Sequence, residues 1–284
     1  MTASILDGAA MARQVYDGLR TRVSALRSRG ITPGLATVLV GDNAASRVYV
    51  RNKVKACADV GVHAEVHELP ADISEETLMS KIAELNSSAA IHGILVQLPL
   101  PRGLDAQRAL QSIALAKDVD GFSWSNLGAL VDGHPQLVPC TPLGVMHMLD
   151  SAGVKLEGVH AVVIGRSSVV GKPMALLLIA RGATVTVCNS KTPQLESFTR
   201  RADVLVAAAG RASLVTGDMV KPGAVVIDVG INRLPDGKLV GDVDFESVKL
   251  RAGAVSPVPG GVGRMTVAML VANTVHAAER SASA

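Results

Sequence analysis

Tyr49 and Lys53 stand four residues apart in Arg47-Val-Tyr-Val-Arg-Asn-Lys53-Val-Lys55, a spacing that puts both side chains on one face of a helix. A phenol beside an amine suits proton transfer. Partial burial lowers a lysine's pKa, and such an amine exchanges protons with a substrate near neutrality, which a fully hydrated one does poorly. The alternative is an exposed lysine on a solvated basic face with Arg47, Arg51 and Lys55, or a face that draws an anionic substrate tail. Gln97 ends the apolar run 93–98, where parallel α/β sheets meet their ligands; otherwise it is an amide that pins a loop. Asp120, in Lys117-Asp-Val-Asp-Gly121, can accept hydrogen bonds from the amino edge of a heterocycle, or simply form an Asp-Gly turn.

A second constellation follows the apolar run His160-Ala-Val-Val-Ile164. Gly165-Arg-Ser167 with Gly171 turns the chain into an apolar helix, and such a turn offers backbone N–H groups and a helix dipole to a pyrophosphate. The spacing is Gly-x-Ser-x-x-x-Gly rather than Gly-x-Gly-x-x-Gly, so an ordinary strand-to-helix turn stays open beside nucleotide binding. The next apolar run ends Cys188-Asn-Ser190-Lys191 with no carboxylate for a ribose 2′-hydroxyl. Arg166, Ser190 and Lys191 suit a 2′-phosphate, which favours NADP over NAD, unless all three are solvated turn residues. The segment 257–263, rich in Pro and Gly before a helix, reads as a cleft lining or as an interdomain connector. His63, Glu65 and His67 alternate, which fits the solvated face of an edge strand better than a metal site, so no metal is expected.

The elements that must position these groups alternate between strand and helix. Apolar positions at helical spacing run from Met11 to Leu26 and close at Gly30. Strands are expected at 35–40, 62–69 and 93–98, with helices at 46–60 and 74–86 between them. The stretch 117–142 lacks periodicity and reads as a long irregular segment able to hold a site. A helix at 145–152 precedes a second series of strands at 159–164, 184–188, 204–208 and 225–229, and the last helix spans 265–279 before a frayed tail, 281–284. This alternation predicts an α/β protein with mainly parallel sheets and a domain boundary near 145–155.

The 284 residues suit about two domains at roughly 150 residues each. Aromatic residues make up only 2%, which argues against a stacking platform for single-stranded nucleic acid, and 28 basic against 25 acidic residues leave no polyanion-wrapping surface. No run of 18 apolar residues and no export signal are present, so neither membrane insertion nor secretion is expected. Three widely spaced cysteines, at 57, 140 and 188, match neither a zinc site nor a disulfide framework and point to a reducing cytoplasm.

Together these segments closely resemble the bifunctional methylenetetrahydrofolate dehydrogenase/methenyltetrahydrofolate cyclohydrolase family, over nearly the whole chain. The resemblance is carried by Gly41-Asp42 with Ala45-Ser46, Tyr49 to Lys55, Gln97-Leu-Pro-Leu-Pro101, Lys117 to Gly121 and Pro139-Cys-Thr-Pro142. Further along it rests on Gly165-Arg-Ser167 with Val170-Gly-Lys-Pro173, then 221–232, Gly241-Asp-Val243 and 257–263. The resemblance implies two Rossmann-like three-layer lobes around a cleft: 1–145 as folate-binding catalytic domain, completed by a C-terminal helix at 265–284, and 146–264 as NADP-binding domain. It also implies a cytoplasmic homodimer formed largely through the second lobe, acting on tetrahydrofolate one-carbon derivatives that feed purine biosynthesis. By the same resemblance Lys53 is the acid/base, Gln97 hydrogen-bonds it, Tyr49 orients the folate, Asp120 anchors the pterin, and Pro259 and Gly260 touch substrate. Gly165, Arg166, Ser167, Gly171, Ser190 and Ile231 would hold NADP.

Other readings are a dehydrogenase with weak or lost cyclohydrolase activity and a noncatalytic folate- or nucleotide-binding protein. The intact Tyr49, Lys53 and Gln97 set argues against the first. Two positions depart from the family's pattern: Asn189 stands where His usually precedes the serine, and Arg264 where Pro usually follows Gly-Gly-Val-Gly.

Overall fold

The computed structural model describes residues 2–283; Met1 and Ala284, the outermost residues of the expected first domain and of the expected tail, lie outside the described residues. The strands are β1 (Ser4–Ile5), β2 (Gly34–Val40), β3 (His63–Leu69), β4 (Gly93–Val96), β5 (His160–Ile164) and β6 (Thr184–Cys188). They continue as β7 (Val204–Ala207), β8 (Val225–Asp228), β9 (Asn232–Arg233), β10 (Leu239–Val240) and β11 (Ala254–Val255). The helices are α1 (Gly8–Arg27), α2 (Ala44–Val60), α3 (Glu75–Ser87), α4 (Ala106–Gln111) and α5 (Trp124–Val131). After them come α6 (Cys140–Ser151), α7 (Gly171–Ala180), α8 (Leu195–Thr199), α9 (Phe245–Lys249) and α10 (Val262–Ser281).

Two compact units result, one of Arg13–Cys140 with Val267–Ala284, the other of Met1–Ala12 with Thr141–Thr266. The first holds a parallel sheet in the order β3-β2-β4. β2 lies between two partners and is buried along its whole length, which is why its sequence is apolar apart from Thr37. β3 pairs only with β2, and there the Nε2 atoms of His63 and His67 lie 3.0 and 3.2 Å from the two carboxylate oxygens of Glu65. The core behind this sheet joins Ala36, Val38 and Val40 to Leu78, Ile82 and Leu85 of α3.

The second unit holds a six-stranded parallel sheet in the order β1-β11-β8-β7-β5-β6, with a separate antiparallel pair, β9 and β10. Its core is aliphatic, as the shortage of aromatic residues requires: Val162, Ile164, Leu205, Val226 and Val255 are all buried. The first strand pairs with β11 in this sheet, with Ser4 opposite Ala254, so the described residues up to Ala12 join the second unit instead of the rest of the 1–145 segment. Two residues carry too little periodicity to reveal such a partner.

The stretch 117–142 is more regular than its composition suggests. Asp118 organises it: its carboxylate accepts from the N–H groups of Phe122 (3.2 Å) and Ser123 (2.7 Å) and from Asn126 Nδ2 (2.8 Å). The Ser123 hydroxyl then caps α5 by accepting from Asn126 N at 3.1 Å.

Candidate active site

In the first unit, α2 begins where the Asn43 side chain accepts from Ser46 N at 3.0 Å and ends at Gly61, whose φ of 84° is left-handed. One turn brings Tyr49 and Lys53 to the same face. Lys53 is half-buried and its Nζ donates to Gln97 Oε1 at 3.0 Å. Gln97 lies just beyond β4; its backbone N–H bonds Val38 O at 2.9 Å and its side-chain N–H₂ donates to Leu98 O at 2.7 Å. With both ends of the amide oriented, the oxygen is fixed toward the lysine.

Asp120 belongs to the same environment. Burial pushes its carboxyl up to about 6, while the positive charge of Lys53 pulls the other way. The Cys140 thiol donates to Val119 O at 3.2 Å and stands 3.7 Å from Asp120 Oδ1. Burial and the neighbouring Asp120 raise that thiol well above its usual range, so it stays protonated. Asn273 of α10 donates to Val119 O at 2.8 Å and to Val138 O at 2.9 Å, which fixes the strands of chain that carry Asp120 and Cys140. Sequence reasoning missed Asn273, because its partners lie 154 and 135 residues away. Tyr49 remains 40% exposed, open to stack on an incoming ring.

In the second unit, β5 runs into Gly165, whose φ is 125° and whose Cβ, if it had one, would lie 2.1 Å from Ala208 O. A Cβ at Gly171 would lie 2.2 Å from Gly165 O, so both glycines are required by close backbone approach. The Ser167 hydroxyl accepts from Val170 N (3.2 Å) and Gly171 N (3.3 Å), which starts α7. Among the described residues, the N–H groups of Arg166, Ser167, Ser168 and Val169 have no protein acceptor. A turn of free N–H groups before a helix fits a pyrophosphate. Arg166 and Ser190 are exposed at the carboxyl ends of β5 and β6, and the latter ends without a carboxylate, so the donor set fits the 2′-phosphate of NADP. Ile231 is 47% exposed beyond β8. Pro259 and Gly260, the latter with φ 110°, lie in the loop before α10, in this second unit.

Residues 139–282 match the family described as "Tetrahydrofolate dehydrogenase/cyclohydrolase, NAD(P)-binding domain", and residues 6–120 match its catalytic domain. The chain belongs to the tetrahydrofolate dehydrogenase/cyclohydrolase family. A relative from Bordetella avium (strain 197N), "Bifunctional protein FolD", is 59% identical over 281 residues, covering 99% of each chain. The solved structure of the bifunctional dehydrogenase/cyclohydrolase FolD of Campylobacter jejuni superposes with a TM-score of 0.97 at 48% identity, covering 98% of this chain and 99% of that one. The Trypanosoma brucei enzyme, solved with NADP cofactor and inhibitor, gives a TM-score of 0.96 at 41% identity, with full coverage of both chains.

Within this family the two departures have simple local accounts. Asn189 makes a tight turn: its N–H donates to Thr192 Oγ1 at 2.9 Å and its Oδ1 accepts from Lys191 N at 2.9 Å. That turn leaves Ser190 exposed. Arg264 is exposed and follows Val262, so the helix begins before it and the arginine does not delay the start; its N–H bonds Gly261 O at 3.1 Å.

Proposed function

We propose that this chain oxidises 5,10-methylenetetrahydrofolate with NADP and hydrolyses the product, 5,10-methenyltetrahydrofolate, to 10-formyltetrahydrofolate, using Lys53, Gln97, Tyr49 and Asp120 on the folate and the Gly165 turn on the cofactor. The observation that carries this reading is the Lys53 Nζ to Gln97 Oε1 hydrogen bond of 3.0 Å, beside a carboxyl held up at about 6. It also argues against a dehydrogenase that has lost hydrolysis.

When bound, NADP accepts the hydride that leaves the methylene carbon. The protein's part in that step is placement, since hydride transfer needs no base of its own and gains mainly from proximity. Gly165, Arg166, Ser167, Gly171, Ser190 and Ile231 hold the cofactor; Pro259 and Gly260 touch the substrate. Asp120 accepts from the amino edge of the pterin, and the Tyr49 ring orients the rest of the folate. Hydrolysis then adds water to the cationic methenyl carbon. Both protons of that water must leave, the first as it attacks and the second as the carbonyl forms, while the ring nitrogen takes one up as the carbon–nitrogen bond breaks, so one proton is released overall; Lys53 serves these transfers. Gln97 keeps the amine aimed, because its oxygen can only accept.

The reading assigns folate chemistry to the 1–145 segment apart from its first strand, together with the returning helix, and NADP to 146–264. It carries with it a homodimer formed largely through the second lobe. A cytoplasmic home suits three cysteines that are all buried and unpaired. Among the described residues no helix is long and apolar enough to cross a membrane.

The deciding experiment mixes purified protein with methylenetetrahydrofolate and NADP and follows NADPH and the methenyl compound separately. NADPH formation with little methenyl build-up beyond the uncatalysed control is expected. Accumulating methenyl compound would remove Lys53 from its role, and absence of NADPH with either NADP or NAD would overturn the catalytic reading.

A further inference from the structure

Two carboxylates in the second unit are buried and belong to no step above. Asp242 is fully buried and accepts four hydrogen bonds: Oδ2 from Ala209 N (2.6 Å) and Gly210 N (2.8 Å), Oδ1 from Arg211 N and Asn232 Nδ2 (both 2.9 Å). Behind it, Asp228 Oδ1 accepts from Asp242 N at 2.9 Å and Oδ2 from Val243 N at 3.0 Å, which fixes the backbone of Asp242 itself. The fit is tight: a Cβ on Gly230 would lie 2.2 Å from Asp242 Oδ1. Such close quarters rule out a side chain there and bring the backbone up to the carboxylate.

The groups Asp242 holds are placed where the cofactor is read to lie. Residues 209–211 follow Ala208, whose carbonyl is the group packed against Gly165. Asn232 follows Ile231 directly. One carboxylate thus ties the loop after β7, which backs the pyrophosphate turn, to the turn after β8, which presents Ile231. Both loops lie at the carboxyl ends of adjacent parallel strands, the edge at which such sheets take nucleotides.

We propose that Asp242 is a positioning residue for NADP: it sets the spacing between the Gly165 turn and Ile231 by accepting from both supporting loops, without touching the cofactor. The inference rests on the reading of this sheet as the NADP site. A carboxylate is required because all four partners are donors. An amide in its place offers one oxygen and one N–H₂, so two of the four contacts become donor against donor whichever way it is turned.

The test uses the full-length protein and its two activities. In Asp242→Asn, KM for NADP should rise roughly tenfold or more while kcat stays within about threefold. Hydrolysis of methenyltetrahydrofolate supplied directly, without NADP, should be unchanged, which shows a folded protein with an intact lysine site. Asp203→Asn is the control. Asp203 accepts from His160 N and Lys221 Nζ at the opposite ends of β5 and β7, so this variant should lower Tm without moving KM for NADP. If Asp242→Asn does not accumulate as folded protein, Asn232→Ala removes one donor only and should raise KM for NADP about threefold. An unchanged KM in whichever variant folds, or an equal rise in Asp203→Asn, overturns the proposal. Absence of NADP-dependent turnover in the parent protein would overturn the underlying reading, and the proposal with it.

Discussion

Asp118 and Asp120 are two residues apart, yet the chain uses them in opposite ways. Asp118 is consumed by structure, its oxygens taken by two backbone N–H groups and the Asn126 amide that build α5. Among the described residues the Asp120 carboxylate receives only the Cys140 thiol at 3.7 Å, so it keeps lone pairs that a ligand could use. The same contrast separates the two units. On the lysine side, Lys53 and Asp120 have one side-chain partner each among the described residues; on the side read as holding NADP, Asp228 and Asp242 are saturated, and the groups offered to the cofactor are backbone N–H donors at a glycine turn with the exposed Arg166 and Ser190. A group kept for chemistry has capacity to spare, whereas a group kept for shape has none.

The largest break in this contrast is Lys53→Met. It removes the amine assigned to both proton transfers while keeping the stem's bulk, so cyclohydrolase activity should fall to the uncatalysed rate, a loss of at least about 100-fold. Folate and NADP should still bind, read by thermal shift with each ligand. A variant that keeps its full hydrolytic rate would place the proton transfers elsewhere.

The mirror-image break is Gly165→Ala. It adds a methyl group at 2.1 Å from Ala208 O on a residue with φ 125°, so strain should cost roughly 2–4 kcal/mol of stability. NADP binding should be lost, while methenyltetrahydrofolate hydrolysis below the new Tm continues. Equal loss of both activities at low temperature would show that the two sides are not separable in this way.

These outcomes bear on what the sequence makes legible. β2, α2, β5 and β6 are plain from the sequence because each carries a run or stripe of apolar residues bounded by turn residues, and Lys53 with Gln97 stands at element positions that the pattern predicts. The helix α5 is hidden by Gly128 at its centre and by loop-like neighbours; its cause is the Asp118 carboxylate, a tertiary contact. The role of Asp242 is equally silent, since three of its four partners are backbone N–H groups 31 to 33 residues away, and any non-proline residue has an N–H whatever its side chain. Side-chain chemistry is written in residue types, but a site made of main chain leaves only glycines as its trace.

Asp120→Asn probes the titrating carboxyl. With the folded pKa raised from 3.8 to about 6, the carboxyl stabilises the fold fully below pH 3.8 and loses that contribution as pH rises through 6. Relative to the Asn variant, the ligand-free parent should therefore lose up to roughly 3 kcal/mol between pH 4 and 7. Substrate affinity should run the opposite way, because the ionised form is the acceptor: KM for folate falls through pH 6 in the parent and is flat in the variant. A flat parent profile would count Asp120 as structural, like Asp118.

The smallest expected effect is Arg264→Pro, and it tests whether the charge at the start of α10 matters to the NADP side. Residue 264 lies in the first turn of α10, where N–H groups have no partner four residues back, and its own N–H bonds only Gly261 O. Proline at this point gives up that one bond and gains a preset φ, so stability should move by less than about 1 kcal/mol. The arginine is exposed and forms no ion pair among the described residues, so water and salt screen its charge. Dehydrogenase kcat/KM should accordingly stay within about threefold and show the same salt dependence in both proteins. A tenfold gain at low salt that vanishes at high salt would instead show that Arg264 repels the cationic nicotinamide. In that case the charge at position 264 would act on the cofactor's nicotinamide end, apart from the groups read as holding its phosphates.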